Sequence, residues 1–382
     1  MIAPTLGRTA GSVPRGLIGM IGMIILVESI ISYHHLDFTR FYIHDWRAIG
    51  DTIRTQSPDC SVLCFGDSLV KFGVLPRVIQ DRTDARVYNL SLCGGQAASS
   101  YFLLRRAIDA KSRPTTVLVD YAPHLLMAEP RHNMRQWPEL LSLSESIELG
   151  LAAKHAGFCA ELALRWIFPS MKDRDEVRGG ILAALRGRPA SRRDDVLAHR
   201  QVWEQNLGSD IHPARSSFDV NDELDLSNPG YFPRTWSCHK VNAYYIHAFL
   251  KLAASNHVQV VWLLPPVGPR FQARRDELGL ESKYTAFLKP MIAKYPNLTV
   301  LDARHSGYDS SLFVDSLHLS RPGADAFSRE IATALVSIEA DASSTGRWVR
   351  VPGVRLRTAS SIPADCVDLS IALRLPIKGH RR

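Results

Sequence analysis

Five short apolar runs punctuate the chain, and each ends at glycine, proline or a small polar residue. Residues 61–65 (SVLCF) lead into Gly66-Asp67-Ser68. Residues 86–91 (RVYNLS) lead towards Gly94-Gly95, and residues 116–121 (TVLVDY) towards Pro123. Residues 258–264 (VQVVWLL) stop at Pro265-Pro266, and residues 298–302 (LTVLD) form the fifth run. Near-continuous Val, Leu and Ile with little alternation predicts strands buried on both faces, as in a parallel sheet. Helix-length segments separate them at 96–111, 240–255, 282–295 and 322–340. This alternation predicts an α/β fold whose site-forming loops gather at the C-terminal ends of the strands. Right-handed crossovers favour the strand order 2-1-3-4-5.

One stretch breaks the alternation. Residues 131–237 carry Ile147, Leu151, Phe158 and Leu162 at roughly helical spacing, then become rich in Pro, Ser, Asn and Asp after residue 212. They predict a helical insertion outside the sheet, either a cap over the strand ends or a peripheral subdomain. Residues 343–382 predict a Pro-punctuated tail with a short hairpin or appended strands.

Near the N-terminus, residues 16–33 read GLIGMIGMIILVESIISY, apolar except for Glu28 near one end. A spanning helix needs about 20 apolar residues, and about 17 can suffice. Arg8 and Arg15 precede the run and no acid does, which places the N-terminus in the cytoplasm and the bulk outside. A single-pass transmembrane anchor is the expectation. Its rivals are a cleaved signal peptide, for which no clear A-x-A site follows, and a buried helix of the globular body. The expected organisation is a cytoplasmic tail and anchor over 1–35, a juxtamembrane connector over 36–55, a main domain over 56–342 and the tail from 343.

Composition changes this picture little. At 382 residues, 46% hydrophobic and 22% charged, the chain can bury a sizeable core. The formal charge of +8 raises nucleic-acid binding, but the basic residues are scattered and no recognition motif accompanies them. A solvated basic surface near anionic lipid is the expectation, with no nucleic-acid partner. Six cysteines include no CxxC pair and no zinc spacing, so no metal or other cofactor is expected.

The chemistry lies in the loops. A serine hydroxyl needs an imidazole to take its proton and a third group to fix that imidazole's tautomer. Ser68 follows a predicted buried strand through a Gly-Asp turn, which would present it at the sheet's C-terminal edge. About 250 residues later, FVDSLHLS places Asp315 and His318 three apart, just before a helix that Ser320 can cap. A D-x-x-H turn lets the carboxylate hold Nδ1–H and leaves Nε2 as the base. Taken separately, Gly-Asp-Ser is also an ordinary turn or N-cap, and Asp-x-x-His an ordinary local hydrogen bond.

Gly66-Asp67-Ser68 after the first strand, Asn89 to Gly94 (N-x-x-x-x-G) after the second, and Asp315-x-x-His318 near the end occur in the order that resembles the SGNH (GDSL-type) hydrolases. The resemblance covers about residues 61–335, interrupted by the insertion. It implies a flavodoxin-like three-layer sandwich with a five-stranded parallel sheet. It implies Ser68 as nucleophile, His318 as general base and acid, Asp315 as orienting residue, and the Ser68 and Gly94 amides in an oxyanion hole, with Asp67 and Asn89 in support. The chain departs from the family after the third strand. Where Gly-x-Asn-Asp supplies a third oxyanion donor, this chain has Asp120-Tyr121-Ala122-Pro123-His124. Losing one such donor typically costs about 2.7–4 kcal/mol of transition-state stabilisation. His124 is the nearest replacement in sequence, and a structural histidine is the alternative.

Two functions are expected from the resemblance. One is a membrane-anchored esterase or O-acyltransferase acting on acyl esters of carbohydrate or envelope polymer. The other is a catalytically impaired accessory protein that binds polysaccharide or a membrane acyltransferase partner. The second is similar to envelope D-alanylation and alginate-acetylation proteins.

Overall fold

Hydrophobic runs and capping residues delimit the elements of the computed structural model, which describes residues 15–33, 41–57, 59–168, 182, 185–187, 193–212, 223, 225–340 and 346–352. In chain order the main elements are α1 (Arg15–Tyr33), α2 (Phe41–Gln56), β1 (Val62–Phe65), α3 (Ser68–Gly73), α4 (Pro76–Gln80), β2 (Val87–Asn89), α5 (Ala97–Asp109) and β3 (Thr116–Val119). They continue with α6 (Pro123–Met127), α7 (Trp137–Leu140), α8 (Leu143–Ala153), α9 (Ala156–Ile167), α10 (Arg193–Gln205) and α11 (Lys240–Ser255). The last are β4 (Gln259–Leu264), α12 (Pro269–Glu277), α13 (Leu280–Lys294), β5 (Leu298–Asp302), α14 (Arg321–Ala340) and β6 (Arg347–Arg350).

The sheet is wholly parallel, in the order β2-β1-β3-β4-β5-β6. The five predicted strands take the predicted order, and a sixth extends the sheet beside β5. This strand, residues 347–350 (RWVR), falls where the tail was expected to carry a hairpin or appended strands, and it joins the main sheet in parallel at a half-exposed edge. The main body therefore reaches past the predicted boundary at 342.

Successive side chains of each strand enter opposite layers, as the pleat requires. Leu63, Phe65, Val117, Val119, Val260 and Trp262 face a cluster completed by α2, α5, α11 and α13. Val62, Cys64, Leu118, Val261 and Leu263 face a cluster completed by α3, α4 and α14. Each fully buried residue of this size contributes about 1.5–3 kcal/mol relative to exposure.

Two boundaries need correction. The predicted connector at 36–55 contains α2, and α2 belongs to the core. Trp46, Ile49 and Ile53 are fully buried, and the Trp46 ring meets Trp137 edge-on at 5.3 Å. The insertion contributes α7 to α10 and, among the described residues, no strand. It is stitched into the body, however. The Asn89 amide donates to the Leu207 carbonyl at 2.9 Å, and Ser209 Oγ donates to Val74 O at 2.6 Å. Gly208 lets the two segments touch: with φ +92, it sits where an added Cβ would lie 1.9 Å from Asn89 O.

Helix α1 is 19 residues long, and Leu17, Ile18, Met20, Ile21, Ile24 and Ile25 are exposed on it. It does not pack as a core helix. Among the described residues no helix is long and apolar enough to cross a membrane, and the described side chains of α1 run only from residue 16 to 30 and at 33. The predicted cytoplasmic tail before residue 15, residues 34–40 and the tail beyond 352 lie outside the described residues.

Candidate active site

The turn from β1 into α3 sets the position of Ser68. Gly66 has φ +129, and an added Cβ would lie 2.4 Å from Asp120 O, so only glycine lets β1 leave the sheet this close to β3. Asp67 caps α3. Its Oδ1 accepts from Leu69 N at 2.8 Å, and its Oδ2 accepts from Ala122 N at 2.6 Å. One buried carboxylate therefore pins the nucleophile turn to the loop after β3. Ser68 is the first residue of α3 and is half-buried.

The turn before α14 brings the other two residues. Asp315 Oδ1 accepts from the backbone amides of Leu317 at 2.9 Å and His318 at 2.7 Å, which closes the D-x-x-H loop on itself. His318 Nδ1 lies 3.0 and 2.9 Å from the two Asp315 oxygens. His318 Nε2 lies 2.9 Å from Ser68 Oγ. With the proton on Nδ1 donated to Asp315, Nε2 is the acceptor for the Ser68 hydroxyl. The imidazole is walled by Phe72 at 5.6 Å and His212 at 5.5 Å, both edge-on, and these two rings stack on each other at 3.8 Å.

The charges follow from this packing. Burial opposes the His318 charge, but the Asp315 hydrogen bond and the Asp315, Asp67 and Asp225 carboxylates outweigh it and raise its pKa above the ordinary histidine value. Burial likewise opposes the Asp315 carboxylate, and its bonds to His318 and Leu317 overcome that, lowering its pKa to about 2. Asp67 is pushed up to about 6 by burial against its two amide donors. Asp120, buried beside it, is pushed well above the carboxylate range by burial and by the Asp67 charge.

The Ser68 and Gly94 amides donate to no group among the described residues. Two side chains hold the Gly94 loop, and neither was foreseen. Trp46 Nε1 donates to Cys93 O at 3.2 Å and so fixes the peptide plane that carries the Gly94 N–H. Asn133 Nδ2 donates to Gly94 O at 2.8 Å and fixes the next plane. Both are buried, Trp46 at 0% and Asn133 at 1% exposure. No sequence motif marks them. The helical spacing of Ile43, Trp46, Ile49 and Ile53 was the only available signal for Trp46. Asn89 supports α3 from behind: its Nδ2 donates to Val70 O at 3.0 Å, Val74 O at 3.1 Å and Ser209 Oγ at 3.0 Å.

His124 is placed elsewhere. It lies in the first turn of α6, its ring is edge-on to Tyr231 at 4.9 Å, and it makes no hydrogen bond to Ser68 or Gly94. Burial and the nearby Arg275 charge drop its pKa to about 3, so it is neutral. In the loop after β3 the Ala122 amide already donates to Asp67, and Pro123 has no amide hydrogen to donate. His124 instead lines a small cavity beside the catalytic turn, together with Leu69, Leu317, Phe271, Arg275 and Arg304.

Among the described residues, Asp45, His199 and Asp210 are the one buried set close enough to hold a metal. Lys71 occupies the middle of that set, with Nζ 3.3 Å from Asp45 and 3.4 Å from Asp210. His199 Nε2 lies 3.0 Å from Asp45 Oδ1. The ammonium supplies positive charge between these carboxylates through ion-pair contacts, while Lys71 Nζ, Asp45 Oδ2 and both Asp210 oxygens make no hydrogen bond among the described residues. No protein-family model and no curated protein matches the chain.

Proposed function

We propose that the protein is a membrane-attached SGNH-type serine esterase or O-acyltransferase acting on acyl esters of carbohydrate or envelope polymer. The observation that carries this reading is the unbroken hydrogen-bonded chain from Ser68 Oγ through His318 to Asp315 at the C-terminal edge of a parallel sheet. Ser68 Oγ attacks the ester carbonyl as its proton passes to His318 Nε2. The carbonyl oxygen becomes an oxyanion held by the Ser68 and Gly94 amides. His318 returns the proton to the leaving alcohol, and an acyl-enzyme remains on Ser68. Water or a sugar hydroxyl, deprotonated by His318, then takes the acyl group and frees Ser68. Asp315 orients the imidazole and stabilises its charged form.

The membrane location rests on the exposed apolar surface of α1 and on Arg8 and Arg15, which precede its apolar run. One observation favours the second reading, an impaired accessory protein that binds polymer or a membrane acyltransferase: the loop after β3 contributes no third oxyanion donor. The two readings separate on turnover of small acetyl esters, with and without sugar acceptors. The enzyme reading expects turnover that Ser68→Ala abolishes. Equal background rates in wild type and Ser68→Ala across several acyl esters would favour the accessory reading.

A further inference from the structure

The cavity beside Ser68 has one wall of apolar groups and one that carries charge. Leu69 follows the nucleophile and Leu317 precedes the base, so both belong to the catalytic turns. Phe271 and Arg275 of α12 complete this part of the lining, with Phe271 packed in one cluster with both leucines. Arg275 is only 4% exposed. Its Nε donates to Glu281, and its Nη1 reaches Tyr231 O at 3.5 Å. Its Nη2 is buried with no acceptor among the described residues. A guanidinium nitrogen removed from water without an acceptor is costly, and a ligand oxygen there would offset that cost.

Arg275 and Arg304 line the cavity and share one lining carboxylate, Glu281. Arg304 also pairs with Asp302, which is outside the lining. Burial, and then the Asp67 charge, raise the pKa of the other lining acid, Asp120. Arg275 and Arg304 thus stand against two carboxylates, Glu281 and Asp302, and Arg275 Nη2 is the guanidinium nitrogen left without an acceptor among the described residues. The cavity fits roughly three water-sized groups, about the bulk of one carboxylate.

We propose that this cavity is a substrate subsite for a carboxylate, bound by Arg275 Nη2 while the ester carbonyl sits on Ser68. The inference rests on the serine-esterase reading and narrows its substrates to esters with a nearby acid. The acid is carried either on the acyl group, as in a dicarboxylic half-ester, or on the sugar, as in a uronate. The neutral His124 and the apolar wall disfavour a bulky or cationic occupant.

The test uses the full chain in detergent. The kcat/KM of ethyl hemiglutarate is compared with that of ethyl valerate, and that of an O-acetylated methyl glucuronoside with its glucoside counterpart. At least a tenfold preference for one acidic member is expected, and the pair that shows it identifies which side bears the acid. The joint substitution Arg275→Gln with Glu281→Gln removes one cation and one anion together and should abolish the preference. Ser68-dependent turnover of the neutral esters with no acidic preference would overturn the subsite and leave the esterase reading intact. If no ester is turned over, the subsite is judged by calorimetric titration of glutarate and glucuronate into Ser68→Ala. Binding that the Arg275 substitution removes would sustain it, and no binding would overturn it.

Discussion

Ser68 begins a helix of only six residues, so its aim depends on side chains that tie that helix to its neighbours. His318 must be neutral to accept the Ser68 proton, and its carboxylate neighbours raise its pKa. Activity should therefore rise with pH, with a midpoint above the ordinary value of 6.5. Asp315, at about 2, stays ionised throughout that range. In Asp315→Asn the midpoint should fall, and a pH–rate profile of kcat/KM checks this. His318→Ala should lose about 10²–10⁴-fold in rate, the usual worth of a positioned base. At the oxyanion side, Trp46→Phe keeps the ring and deletes the N–H that holds the Cys93–Gly94 peptide. We expect kcat to fall by about ten- to a hundredfold with KM nearly unchanged. Affinity for a boronic-acid transition-state mimic should drop in parallel. A change confined to KM would show that Trp46 does not position this amide.

Helix α2 joins the two halves of the site. Trp46 holds the Gly94 loop, and the adjacent Asp45 pairs with Lys71, one turn beyond Ser68 on α3. With His199 protonated, the cluster has two cations and two anions, which suits its complete burial. Lys71→Met would leave two carboxylates against one cation and should cost about 3–5 kcal/mol in stability. The carboxylates raise the His199 pKa, so its folded form binds a proton more tightly than the unfolded chain. That stability is fully present below the unfolded histidine value and is lost as pH rises through the raised one. Urea midpoints measured from pH 5.5 to 9 should fall with this dependence, and His199→Gln should flatten it.

The strands and long helices were legible because burial on both sheet faces leaves uninterrupted apolar runs. The α2 helix was not, because Asp45, Arg47 and Asp51 interrupt its apolar stripe and give it the look of a polar connector. Helix α12 was missed for a similar reason: its sequence, PRFQARRDE, offers only Phe271 to the core.

Across the whole molecule, parallel topology brings residues 250 positions apart to one sheet edge. The GDS and D-x-x-H motifs were legible because their chemistry is local to two turns. Of the residues that hold these turns, Asp67 and Asn89 were named from the resemblance, whereas Trp46, Asn133 and Ser209 were not, because they act through long-range contacts with backbone groups, which impose no spacing in the sequence. The insertion was read as a cap or a peripheral piece, yet Asn133, Ser209, Asp210 and His212 all brace the site. At the N-terminus, the exposed face of α1 should hold the chain in the membrane fraction. Ile21→Asp with Ile25→Asp should shift it towards the soluble fraction on alkaline extraction, and unchanged retention would count against α1 as the attachment.

The central claim is that His318 activates Ser68 as a nucleophile, and intact-mass measurement after treatment with a fluorophosphonate tests it most directly. The account predicts a single phosphonyl adduct on wild type, mapped to Ser68. It predicts no adduct on Ser68→Ala and a strongly slowed one on His318→Ala. An unlabelled wild type, or labelling at the same rate without His318, would contradict it.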